Sequence, residues 1–132
     1  MIESIIHVGI GVTNFEKSLA FYRDVVGLKV DRTVEHPDGR KVAFLNAAVG
    51  EVAELMYFPP PRPPRPDVRE REQTGLNHLG FKVDNVEAEY NRMKALGVEF
   101  VGELPLAVPG QNRMIFFYDL DGNRLHITQV AK

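Results

Sequence analysis

Apolar and polar positions alternate with period two over residues 5–12, which predicts a strand. Ile6, Val8, Ile10 and Val12 fall on one face, and Ile5, His7, Gly9 and Gly11 on the other. The first face suits packing against a helix; the second, with two glycines, leaves room beside His7. The period then changes. Phe15, Leu19, Tyr22 and Val26 recur at helical spacing. Thr13 and Glu16 form a capping-box pattern at the start, and Gly27 marks the stop. Strands are predicted over 28–34, 41–47 and 52–58, with His36-Pro37-Asp38-Gly39 as turn chemistry.

Residues 59–66 hold six of the nine prolines. Proline has no amide donor for a ladder, so 59–75 is read as a stiff connection. The plan then repeats. A strand is predicted over 76–83, and a helix capped by Asp84 and Glu87 carries Val86, Tyr90, Met93 and Leu96 and ends at Gly97. A short strand over 99–102, a loop over 104–111, and strands over 113–118 and 124–130 complete it. The domain reading is module 1 over 1–58, linker 59–75 and module 2 over 76–132. The fold class is α+β, with two tandem βαβββ modules.

The repeat is visible in residues as well as in pattern. His7-Val8-Gly9 and His78-Leu79-Gly80 are 71 apart, and Glu54 and His126 are 72 apart. Parity sets His7 and His78 opposite the packing faces of their strands. Glu54 shares a face with Val52, Met56 and Phe58, and His126 with Arg124 and Thr128. Two copies of a two-ligand half-site, His7 with Glu54 and His78 with His126, would give one divalent ion three imidazoles and one carboxylate. Such a set suits Fe, Mn, Ni, Zn or Co and leaves an octahedral ion two open positions.

Bulk properties narrow the alternatives. A net charge of -2 and pI near 6.1 give no sign of a nucleic-acid partner. The absence of cysteine removes disulfides and thiolate metal sites. No apolar run has the length of a membrane span and no signal-peptide pattern opens the chain, so a cytoplasmic location is expected.

At His7-Val-Gly-Ile-Gly-Val, Ser18-Leu-Ala-Phe-Tyr22 leading to Gly27-Leu28, and Glu54-Leu55, the chain resembles the vicinal oxygen chelate superfamily. This is the glyoxalase, bleomycin-resistance and extradiol-dioxygenase group. The resemblance continues through Asn77-His78-Leu79-Gly80-Phe81, Leu96-Gly97-Val98-Glu99-Phe100 and Asp119-Leu120-Asp121-Gly122-Asn123. It implies paired modules forming a cup-shaped half-barrel, a divalent ion chelated by vicinal oxygens of a small substrate, and a homodimer. His7, Glu54 and His78 match the family's ligand positions. The fourth departs, because His126 stands where the family usually has Glu. That leaves Glu54 as the one carboxylate of the set and the possible base. A lyase or isomerase and a dioxygenase both remain open, with a metal-free sequestering protein of the bleomycin-resistance kind as the alternative.

Lys82, Arg113, Tyr118 and Arg124 are weaker candidates for binding an anionic substrate. Surface exposure is the commoner role for each, as it is for Arg62, Arg65 and His36. Tyr57 falls on the opposite parity from Glu54. Met56, Phe58, Met114 and Phe116 would form an apolar substrate wall or simply core.

Overall fold

A computed structural model describes residues 1–132. The chain divides into two compact units, Met1–Pro64 and Arg65–Lys132. The boundary falls within the proline-rich segment. No helix is long and apolar enough to cross a membrane.

Unit 1 holds β1 (Val8–Gly11), α1 (Phe15–Ala20), a π-helical segment (Phe21–Val26), β2 (Lys29–Glu35), β3 (Lys41–Ala47) and β4 (Gly50–Tyr57). Its sheet has the order β1-β4-β3-β2, with β1 parallel to β4 and the other pairs antiparallel. Ile10 and Val12 are buried, as their alternation predicts, and so are Phe15, Tyr22 and Leu55. The helix widens before it ends, with Gly27 N–H donating to the Tyr22 carbonyl five residues back at 3.1 Å. Gly27 then turns the chain at φ 93°, a conformation other residues adopt only with strain.

Unit 2 holds β5 (Leu79–Lys82), α2 (Val86–Ala95), β6 (Arg113–Tyr118) and β7 (Arg124–Gln129). Its sheet has the order β5-β7-β6, with β5 parallel to β7. Val86, Met93, Phe117 and Leu125 are fully buried. The Asp119–Asn123 turn is closed by the Asp119 carboxylate, which accepts from the Asp121 and Asn123 amides at 3.0 and 2.8 Å.

The mixed α+β fold is as expected, and several element bounds differ. Residues 5–7 are outside β1, with Ile5 and Ile6 86% and 66% exposed. In the β1–β4 register these residues face the start of β4, where that strand is bulged, so no ladder forms. Residues 76–78 are likewise outside β5, whose ladder with β7 begins at Leu79 opposite Leu125. The strand expected over 99–102 is reduced to one bridge, Phe100 with Phe117, and Gly102 at φ 80° then turns the chain away. Leu96 lies outside the apolar stripe at 55% exposed.

The helix starts are also corrected. Asn14 and Asn85, not Thr13 and Asp84, are the caps; their side-chain oxygens accept from the Lys17 and Ala88 amides at 3.0 Å each. Asparagine in extended backbone satisfies an amide that the first helical turn leaves unpaired. Glu16 pairs with Lys41 at 3.7 Å instead of folding back on the cap. Replacing Asn14 or Asn85 by Ala is expected to cost about 1 kcal/mol each, and Ser in their place to recover most of it. Urea unfolding of the four variants checks this; an unchanged midpoint for both alanine variants would refute the cap assignment.

Candidate metal centre

The parallel pairing of β1 with β4 sets Gly9 beside Glu54. His7 and Glu54 meet there, His7 Nδ1 lying 3.6 Å from Glu54 Oε1. A residue outside the expected set joins them. Glu51 Oε1 is 3.3 Å from the same nitrogen. Ligand atoms of His7, Glu51 and Glu54 all lie within 4.8 Å of one another.

The bulge brings Glu51 there. Leu45 pairs with Ala53 and Asn46 with Glu51, so β4 carries one extra residue at this point. Strict alternation would put Glu51 on the face of Ala53 and Leu55, both fully buried. The extra residue reverses the parity, so two acids three positions apart share one face. That spacing in an otherwise apolar strand was the available signal.

These residues fit a divalent cation. His7 Nδ1 and Glu51 Oε1 are buried atoms without a hydrogen-bond partner, although they lie 3.3 Å apart. Close approach without hydrogen-bond geometry is what ligand atoms aimed at a common point show. Atoms about 2.0–2.2 Å from one ion lie within roughly 4.4 Å of one another, near the size of this cluster. Two adjacent carboxylates also repel unless a cation lies between them.

Unit 2 repeats the arrangement with different chemistry. The β5–β7 register sets Gly80 beside His126, as Gly9 stands beside Glu54. The His126 ring lies over Gly80 so closely that a Cβ there would overlap its Nε2 and Cε1. His126 Nδ1 is 2.6 Å from the Thr128 hydroxyl. His78 stands 5.2 Å from His126 between ring centroids, and its Nδ1 is 2.8 Å from the Asn77 side-chain oxygen. If Nδ1 carries the proton in each ring, donating to Asn77 and Thr128, Nε2 is left with its lone pair for a cation. Burial first, and then the neighbouring His78 and Arg124, push the His126 pKa below the ordinary histidine value.

The remaining candidates are placed as follows. Arg113 donates to the Pro105 carbonyl at 2.6 Å and to Glu87 at 3.0 Å, which ties it to α2. The Tyr118 hydroxyl donates to the Arg69 carbonyl at 3.3 Å, under the Arg69 guanidinium. Lys82 is exposed. Arg124 is buried over the Phe116 ring.

A sequence model of the Glyoxalase/Bleomycin resistance protein/Dioxygenase superfamily matches residues 4–127. The chain belongs to that superfamily. Its relatives include the protein YaeR of Escherichia coli strain K12, 35% identical over 128 residues and covering 92% of each chain. Lactoylglutathione lyase of Neisseria meningitidis serogroup A is 31% identical over 134 residues, covering 95% of this chain and 89% of that one. The glyoxalase family protein from Enterococcus faecalis superposes with a TM-score of 0.78 at 28% identity, covering 96% and 98% of the two chains. Within the superfamily fold, the His-x-Gly strands and their parallel partners are the parts that carry the polar cluster of each unit.

Two outcomes follow from this geometry. Gly80→Ala forces the His126 ring aside and costs about 1–3 kcal/mol, whereas Gly11→Ala, with nothing near its Cβ, stays within about 0.5 kcal/mol. Thermal unfolding of both variants, with the His126 imidazole signals read by NMR, checks this; an unmoved ring in Gly80→Ala refutes it. The lowered His126 pKa means that the unfolded chain takes up its proton first as pH falls. Its contribution is therefore intact above the ordinary histidine value and is lost as pH drops through the folded value. Stability should fall with acidification over that window, and His126→Gln should flatten the fall. Equal slopes in urea titrations of the two proteins would count against it.

Proposed function

We propose that the protein is a divalent-metal-dependent enzyme of the glyoxalase type, moving a proton between adjacent carbons of a small substrate that offers two vicinal oxygens. The observation that carries the reading is the unpartnered His7 Nδ1 facing the Glu51 and Glu54 carboxylates. His7, Glu51 and Glu54 would hold the ion in unit 1. The sequence repeat supports His78 and His126 as the ligands of the second half. A bound divalent ion would supply Lewis-acid polarisation of the substrate oxygens.

The chain's own groups supply the rest. Histidine at position 126 leaves Glu54 as the one carboxylate of the expected set, and Glu51, 3.3 Å from the same His7 nitrogen, adds a second. One of Glu51 and Glu54 then anchors the ion while the other is free to take a proton on an oxygen and return it to the neighbouring carbon. The full-length similarity to a lactoylglutathione lyase supports proton transfer over oxygen insertion.

Metal analysis of protein purified without chelator tests the reading. The wild type should carry close to one divalent ion per chain, with His7→Ala and Glu54→Gln losing it. Glu51→Gln should weaken binding by roughly tenfold or more, as loss of one charged ligand does. His126→Ala should also lower occupancy, and metal retained in full would remove His126 from the ligand set. Solvent deuterium should enter the α-carbon of a vicinal hydroxyketone or hemithioacetal only in the loaded protein. Bound iron with substrate-dependent oxygen uptake would instead establish a dioxygenase, and a metal-free protein that still binds small ligands would establish a sequestering role.

A further inference from the structure

The ion accounts for a substrate's two chelating oxygens and leaves the rest of the molecule unspecified. Arg124 bears on that remainder. It lies at the start of β7, two residues before His126 on the same face, and is 9% exposed. Its guanidinium carbon sits 4.2 Å over the Phe116 ring. Phe116 is the β-ladder partner of His126, and its ring also meets the His126 and His78 rings at 5.0 and 5.3 Å. Arg124 Nε is buried without a hydrogen-bond partner, and none of the protein's ion pairs includes this residue.

A guanidinium keeps its charge at any physiological pH. Burying it without a counter-charge is costly, and proteins normally pair such a group. A guanidinium held over a ring keeps its N–H groups, a planar fork that matches the two oxygens of a carboxylate or phosphate. The repeat-related ring in unit 1, Phe44, makes the contrast. Arg32 lies 4.1 Å over Phe44, the ladder partner of Glu54, but Arg32 is exposed and water can solvate it. Arg113 is already held by Glu87. Among these arginines, Arg124 is the one that is both buried and unpaired.

We propose that Arg124 is an anion-recognition residue beside the His78–His126 pair, and that the substrate carries a carboxylate or phosphate in addition to its vicinal oxygens. The second part rests on the metal-dependent reading; the first does not.

The test loads the protein with manganese and compares three hydroxamates by calorimetry. Acetohydroxamate is a neutral bidentate chelator, succinic monohydroxamate adds a carboxylate, and phosphonoacetohydroxamate adds a phosphonate. The wild type should bind one of the anionic pair roughly ten- to a hundredfold more tightly than the neutral one, and which one distinguishes the two anions. Arg124→Met, which keeps the length of the side chain, should lose that preference while its manganese affinity is unchanged. Arg124→Lys should retain part of the preference. No preference in loaded wild type, or a preference that survives in Arg124→Met, overturns the proposal. A wild type that takes up no manganese overturns the metal reading instead. Succinate and phosphate binding to the metal-free protein then decide the anion site, which stands if Arg124→Met abolishes binding and falls otherwise.

Discussion

The parallel ladder between the first and last strands of each unit is the interaction on which the polar clusters depend. In one unit it seats Glu54 beside Gly9, and in the other His126 beside Gly80. A side chain at Gly80 would occupy the space of the His126 ring, and one at Gly9 would meet the Met56 sulfur at 3.3 Å. The His-x-Gly pattern is therefore a packing requirement as much as a chemical one. The imidazole stands one residue ahead of each strand, and the glycine two positions on presents no side chain.

Much of this was legible in the chain. Two periods of alternation and two of helical spacing give the order of elements, and the recurrence of His, Gly and Asn in step gives the duplication. The parity of His7 and His78 follows from the same alternation, because Ile10 and Val12 commit their strand to the core. What stayed hidden depended on neighbours. Whether Ile5 and Ile6 belong to a strand is decided by the irregular start of β4 opposite them. Asn14 and Asn85 displace the Ser/Thr-type capping pattern because the extended backbone needed at a cap falls one residue later. The residues over 99–102 have strand character but only one paired position.

The two halves have diverged in charge while keeping their backbone register. On the open face of unit 1 two carboxylates accompany one imidazole. On the corresponding face of unit 2 two imidazoles accompany a guanidinium. Aromatic residues at equivalent ladder positions, Phe44 and Phe116, have kept their place and each carries an arginine. The two units thus share a backbone plan and differ in the side chains that face out from it, acidic in one and basic in the other.

The extra residue in β4 carries a consequence for how such proteins change over time. Substitution alters the kind of side chain at a given position, as Glu54 in one unit and His126 at the matching ladder position in the other illustrate. An inserted residue does something different: it rotates a side chain already present from the interior to the open face. A single codon gained or lost near Val52 would thus add or withdraw a carboxylate without altering any other amino acid. Inheritance by length, as well as by letter, is a route by which this scaffold can acquire new donors.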